Sequence, residues 1–515
     1  MALFDLGLTL QRLEAPLPIW HARVDDAAWS SVARALADGG GRLVSMWGTA
    51  FDGDAQSSAA CAAYATPEGL VWLELPIGAE AMAFPDLSSA FPSAARMQRA
   101  MADLSGLQAT GAEDTRPWLG HGLWAPGAAP LRAEVPGAAN AGTLPADYPF
   151  VRVQGDGVHE IAVGPVHAGI IEPGHFRFSV VGEKVLRLEA HLGYVHKGIE
   201  RRFTELAPLD AYRLAGRVCG DSTVAYAWAY CMALESAWRC EVPVRAAWLR
   251  ALMLERERVA NHLGDLGALG NDAALSFGLA QFSRLRENWH RLSKEAFGHR
   301  FMMDAIVPGG VAFDLSLTLR DRLRRQCDDT EREVRALKGV YDEHAGLQDR
   351  FLTTGRVSPP LAAQLGLTGL AGRASGQAAD LRCDHDWEPY KQFKVVIATS
   401  ANGDVAARVA MRFDEVFESL RLIRAACSGL PQDDLRSELR PPASPAHGAG
   451  WVEGWRGEVL VAIQTGSHGR IVRCHCHDPS WQNWPVLEHA VIGNIVPDFP
   501  LINKSFNLSY SGHDL

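Results

Sequence analysis

Reactive side chains in this chain concentrate in two segments far apart in sequence. Arg217-Val218-Cys219-Gly220-Asp221-Ser222-Thr223-Val224-Ala225-Tyr226 brings together a thiol, a carboxylate, two hydroxyls and a phenol. Asn507-Leu508-Ser509-Tyr510-Ser511-Gly512-His513-Asp514-Leu515 adds hydroxyls, an imidazole and a second carboxylate. Upstream, Glu172 and His175 flank Pro173-Gly174. Glu172, His175, Asp221, Tyr226, His513 and Asp514 are groups that can hydrogen-bond a carbonyl and relay protons. Cys219, Asp221, His513 and Asp514 mix soft and hard donors, a set able to hold zinc or iron if it converges. The alternative is that all these groups satisfy one another in a closed polar site.

Other tempting patterns carry less. In Cys474-His475-Cys476-His477 a strand would send the two thiols to one face and the two imidazoles to the other, and no second pair stands at zinc-finger spacing. The segment reads as a strand leading into Pro479. Gly309-Gly310 is a turn signal, since no Gly-Lys-Ser/Thr follows. No dinucleotide fingerprint is present, so binding of NADH by this chain is not expected.

The elements that must position these residues are legible in outline. Arg42 to Gly48 and Gly69 to Leu75 read as strands, and Pro92 to Leu107 as a helix stopped at Gly106. This predicts a small α/β domain over residues 1–128, followed by an Ala/Gly/Pro-rich linker over 129–149. Residues 150–515 form the second domain. Val151 to Gly164 and Phe176 to Ala190 alternate like strands around a Gly182-Glu183 turn. Long helices are then expected over Leu209 to Trp238, Pro243 to Leu266, Leu315 to His344 and Val405 to Leu430, with strand-like alternation returning over Arg456 to Cys476. The fold class is α+β, with a mainly helical second domain that opens on a β-hairpin region.

Composition narrows the function. A hydrophobic content of 47% over 515 residues is enough for two large cores. A net charge of -10 argues against a nucleic-acid partner, which calls for a basic face. No window approaches the roughly 20 apolar residues of a membrane span, and no secretory signal is visible at the N-terminus. Nine scattered cysteines read as reduced thiols. The chain is expected in the cytoplasm, attached to a membrane only through partners.

Gly164-Pro165-Val166-His167, Glu172-Pro173-Gly174-His175-Phe176-Arg177-Phe178, Gly193 to Glu200, Leu254 to Gly267, Arg373-Ala374-Ser375-Gly376 and Glu453 to Glu458 follow in an order that resembles the large subunits of group 4 nickel–iron hydrogenases of the formate hydrogenlyase type. Leu254 to Gly267 is also similar to the long core helix of the 49-kDa subunit of respiratory complex I. Arg96 to Leu107 and Asp114 to Leu119 resemble its 30-kDa subunit, as fused in formate hydrogenlyase. In the hydrogenases, Arg-x-Cys-Gly-x-Cys-x-x-x-His and a C-terminal Asp-Pro-Cys-x-x-Cys-x-x-Arg/His supply four thiolates to nickel and iron. The corresponding residues here are Cys219, Ser222, Ser509 and Gly512, and the histidine position is Tyr226.

The resemblance therefore implies a hydrogenase-like subunit without a nickel–iron centre; serine is not ionised at neutral pH and glycine offers no side chain. No processing extension follows Leu515, which supports the same expectation. In complex I the corresponding cavity takes a quinone headgroup, held by a histidine and a tyrosine; Pro173 and Gly220 stand at those places. The resemblance still implies quinone as an acceptor, with Ser222, Ser509 and Arg373 as further binding residues. It implies an iron–sulfur cluster in a small partner subunit, and antiporter-like and anchor-like membrane subunits that translocate ions. The rival expectation is a redox-silent subunit that transmits conformational change.

Overall fold

The computed structural model describes residues 3–515 apart from 52–53, 79, 123, 125–127, 133–147 and 168–170. Most of the expected linker thus lies outside the described residues. The chain is α+β, as the sequence predicts.

The N-terminal region is a five-stranded sheet of β1 (Gln11–Leu13), β2 (Ile19–Arg23), β3 (Arg42–Phe51), β4 (Asp54–Thr66) and β5 (Gly69–Ile77), in the order β1-β2-β5-β4-β3. Within this sheet only β2 and β5 run parallel; α1 (Asp26–Asp38) leads from β2 to β3, its first turn capped by the Asp25 carboxylate accepting from the Ala28 N–H at 2.8 Å. Helix α2 (Ala94–Ser105) ends at Gly106 with φ 74°, a left-handed cap that glycine adopts without strain. Strand β4 has no counterpart in the sequence reading. Its run of alanines has low strand propensity, yet Ala59 to Ala63 are fully buried between β3 and β5, where packing overrides propensity.

The second region opens with an antiparallel sheet of β6 (Val158–Val163), β7 (His175–Val181) and β8 (Lys184–His191), and the last two turn at Gly182-Glu183. Five long helices follow: α3 (Thr223–Trp238), α4 (Val244–Asp272), α5 (Ser276–Phe297), α6 (Leu317–Glu343) and α7 (Val405–Gly429). Every residue of α3 is buried, which makes it the central helix. The expected single helix over Leu209 to Trp238 is interrupted: a short turn at Tyr212–Ala215 is separated from α3 by a loop that carries Cys219 and Asp221.

An antiparallel sheet of β9 (Ala446–Glu453), β10 (Glu458–Thr465) and β11 (Ile471–His477) lies on α3. The approach is close enough that a Cβ on Gly450 would stand 2.0 Å from the Ala229 carbonyl oxygen, so only glycine fits there. β11 splits its side chains by face, as alternation requires. His475 stacks on Trp47 with ring centres 4.6 Å apart and bonds Ser45 at 2.7 Å, while the Cys474 and Cys476 thiols lie near Tyr230 and Tyr226. The strand continues into α8 (Ser480–Ala490), and the chain closes on a turn at Ser511–Asp514.

The two sheets share a seam, with Arg42 on Glu458, Thr49 on Gln464 and Arg473 donating to the Gly48 carbonyl at 2.9 Å. Among the described residues no helix is long and apolar enough to cross a membrane.

The charged run Glu255 to Arg258 on α4 is buried and hydrogen-bonded throughout. Arg258 reaches Glu255 at 3.4 Å, Arg382 reaches Glu255 at 3.0 Å, and Arg256 bonds Ser293 and the Trp289 carbonyl. A buried charge is tolerated only with such partners.

Candidate functional site

The loop before α3 and the C-terminal tail meet, and the meeting point is built by α4 and by the turn between β9 and β10. Glu257 on α4 accepts from the Val224 and Ala225 N–H groups at 2.6 and 3.2 Å, capping the first turn of α3. Asn261 and Trp455 both donate to the Asp221 carbonyl, at 2.7 and 2.9 Å. On the tail side, Asn507 donates to Asp265 at 2.7 Å, and Ser480 accepts from the Ser509 N–H at 2.9 Å.

All four positions that carry thiolates in hydrogenases come together. The Cys219 Sγ lies 3.0 Å from the Ser509 Oγ, and the Gly512 N–H donates to that same oxygen at 2.8 Å. Arg456, on the β9–β10 turn, stands among them. Its guanidinium grips both Asp221 oxygens at 2.6 Å, lies 3.4 Å from the Ser222 Oγ and 3.8 Å from the Cys219 Sγ, and donates through Nε to the Asn507 carbonyl. Asp478 fills the remaining side: it accepts from the Tyr226 hydroxyl at 2.8 Å, and one of its oxygens lies 2.3 Å from where a Gly512 Cβ would be.

A nickel–iron pair does not fit this arrangement. Burial, reinforced by the charge of Asp221, pushes the Cys219 thiol well above its ordinary range, so the one sulfur present stays protonated. The fourth ligand position has no side chain, and its space belongs to Asp478. The positive charge among these residues is a protein guanidinium. Burial opposes ionisation of Asp221, but Arg456 outweighs it and holds the carboxyl down at about 2. Burial and the neighbouring Asp478 raise the Tyr226 phenol well above its usual value.

The remaining candidates lie elsewhere. Glu172 sits at the exposed rim and accepts from the Ser511 N–H at 3.1 Å. His175 starts β7, bonds the Gly164 carbonyl at 3.3 Å and packs on Phe150. His513 stacks on Trp481 with ring centres 4.0 Å apart and pairs with Asp514 at 2.8 Å. Asp514 accepts from the Val195 N–H at 3.1 Å, so both residues fasten the tail rather than face Cys219. The set Cys219, Asp221, His513 and Asp514 therefore does not converge on a metal.

Arg373 is buried in a separate knot with Glu415 at 2.7 Å, Glu453 at 2.9 Å and Asp380 at 3.4 Å. Sequence reasoning missed the roles of Arg456, Asp478 and Glu257. Arg456 belongs to the Glu453 to Glu458 segment that carried the resemblance, and a lone arginine there signalled nothing further. The cleft beside Gly220 and Asp221 measures about 10 Å³, room for one water and not for a quinone ring.

A five-stranded sheet followed by a mainly helical region is the architecture expected of complex I 30-kDa/49-kDa-type subunits. Residues 272–449 match the respiratory-chain NADH dehydrogenase 49 Kd subunit, residues 22–141 the 30 Kd subunit and residues 197–266 the nickel-dependent hydrogenases. The chain belongs to the family of fused 30-kDa/49-kDa-type large subunits that group 4 hydrogenases share with complex I.

It is 30% identical over 436 residues to formate hydrogenlyase subunit 5 of Escherichia coli (strain K12), covering 84% of this chain and 77% of that protein. To the carbon monoxide-induced hydrogenase of Rhodospirillum rubrum it is 31% identical over 350 residues, 68% of this chain and 97% of the other. Its fold is also similar to a chain of the membrane-bound sulfane sulfur reductase, an archaeal respiratory membrane complex, with a TM-score of 0.65 at 24% identity over 70% of this chain and 98% of that one.

Proposed function

We propose that this chain is the peripheral-arm large subunit of a membrane-bound, energy-converting oxidoreductase complex, working without a nickel–iron centre as a coupling element. The arm would lie on the cytoplasmic face, held by an iron–sulfur small subunit and by antiporter-like and anchor-like membrane subunits. The observation that carries this reading is the guanidinium of Arg456 seated among Cys219, Asp221 and Ser222. A site whose cation is covalently part of the chain holds charge balance without exchanging a metal, and it can pass a displacement between the tail, the α3 loop and α4.

In the second reading, electrons from the partner's iron–sulfur cluster reach a quinone-like acceptor. It draws support from the rim, where the side chain of Asp221 is 34% exposed and the proton-bearing groups Cys219 and Tyr226 lie behind it. An acceptor would then bind at the mouth formed with the partner and not within this chain.

Two measurements separate these readings from each other and from a hydrogenase. Metal analysis of the purified complex is expected to give no stoichiometric nickel, and near-equimolar nickel would overturn both. Reoxidation of the partner's reduced cluster by a soluble quinone is then compared between the wild-type complex and Asp221→Asn. Equal rates support the coupling reading, and loss of quinone-dependent reoxidation in an assembled Asp221→Asn complex supports the second.

A further inference from the structure

Far from Cys219, at the seam between the two sheets, three ligand-type side chains meet. His21 comes from β2, Glu74 from the adjacent parallel strand β5, and His447 from β9 of the other sheet. The His21 Nε2 and the His447 Nε2 approach the same oxygen, Glu74 Oε2, at 3.5 and 3.3 Å, and the three ligand atoms lie within 4.8 Å of one another. Glu74 is wholly buried and the His21 side chain is 8% exposed. The His21 Nε2 is buried, and its contact with the Glu74 Oε2, at 3.5 Å, is too long for a good hydrogen bond. A buried imidazole nitrogen left in that state calls for an occupant.

We propose that His21, Glu74 and His447 bind one divalent ion of the zinc class, clasping the N-terminal sheet to the C-terminal sheet. Zinc takes nitrogen and carboxylate oxygen at about 2.0–2.1 Å in a tetrahedron, whose edge is then roughly 3.3 Å. The observed 3.5 and 3.3 Å separations are edges of that size. The Arg23 guanidinium takes Glu74 Oε1 at 2.7 Å, which fixes the carboxylate and leaves Oε2 for the ion.

Gln464 completes the set. Its side-chain amide lies 3.1 Å from the His447 Nε2 and 3.3 Å from Glu74 Oε2, and it is held from behind by Thr49. A water, or the amide oxygen after a flip, fills the fourth position. Burial holds His21 in its neutral, lone-pair-bearing form, and Glu74 is kept ionised by its histidine neighbours against its own burial. The rings of His21 and His447 lie 19° from parallel with centres 4.7 Å apart, and Trp72 packs edge-on against both. Closing on the ion needs the two imidazoles to tilt toward each other.

The test uses the full chain stripped with a chelator and titrated with cobalt, whose visible bands report geometry. One bound equivalent with tetrahedral bands and no thiolate charge-transfer absorption is expected, together with a zinc-dependent rise in the thermal midpoint. His447→Gln, at a position whose side chain is 25% exposed, is expected to lose both signals while remaining folded. Gln464→Leu, which removes an orienting partner, should weaken cobalt binding about 10–100-fold. Absence of cobalt binding in the wild type overturns the proposal. So does binding unchanged in His447→Gln, and so does a thiolate band, which would assign the ion to a cysteine such as the neighbouring Cys61.

Discussion

Among the buried arginines of this protein, Arg373 and Arg456 each centre a charged cluster, and the two clusters differ in their access to water. Around Arg373 every partner is sealed: Glu415 and Glu453 are 6% and 3% exposed. Around Arg456 one partner, Asp221, is 34% exposed. Arg373 sits between carboxylates on different elements, whereas Arg456 pairs with the single carboxylate of Asp221, and of these two clusters water reaches only the second. The sealed knot can only hold the helices together, because nothing outside the fold can exchange with its members. The open one can hold the fold and also respond to whatever docks at its mouth. Burying an ion pair is weak evidence of stabilisation in itself; access separates the two roles.

The largest expected effect follows from that difference. Arg373→Ala leaves Glu415 and Glu453 without their main cation and should destabilise the chain by about 3–5 kcal/mol in urea unfolding. Arg456→Ala should lose less, about 2 kcal/mol, since water can solvate Asp221, but it should also free the Asn507 to Leu515 tail to limited proteolysis. An Arg456→Ala loss equal to or larger than that of Arg373→Ala would break the comparison.

A middle-sized effect tests how tightly the former metal position is filled. Gly512→Ala puts a Cβ 2.3 Å from Asp478 and should destabilise by about 1–3 kcal/mol. Asp478→Gly in the same chain should recover part of that, so the two changes should cost less together than their sum. Strict additivity would mean that Asp478 does not occupy the vacated space.

The smallest effect is confined to acid. Asp221 is held at about 2, below its ordinary 3.8, so its contribution is complete above the unfolded value and is lost as pH falls between those two figures. Asp221→Asn should flatten that part of the stability curve and leave neutral pH to the other variants. An acid limb unchanged by Asp221→Asn would mean that the pairing with Arg456 contributes nothing.

The sequence located the centre but not its contents. The motif spacing brought Cys219, Ser222, Ser509 and Gly512 together because it encodes local loop geometry on a shared family fold. The apolar pattern through Leu209 to Trp238 hid the break before α3, which falls in the stretch that holds Gly216 and Gly220. His513 and Asp514 looked like ligands because of their types, yet Trp481 and the Val195 N–H claim them. Arg456 and Asp478 come from a turn and a strand end distant in the chain, and nothing local marks them as the groups that refill a lost metal site. His21, Glu74 and His447 were invisible for the same reason: three strands from two sheets must assemble before they meet. Strand β4 escaped because burial, not alanine's preference, makes it a strand.

The tail that closes the centre also sets a clock on biosynthesis. Cys219 and Ser509 are 290 positions apart, so at about 5–20 residues per second roughly 15–60 s separate their emergence from a ribosome. Through that interval the thiol has neither its hydroxyl neighbour nor the cover of the last turn. A sulfur that is inert in the finished protein is then open to oxidants and stray soft metals, and its exposure ends when Ser509 arrives.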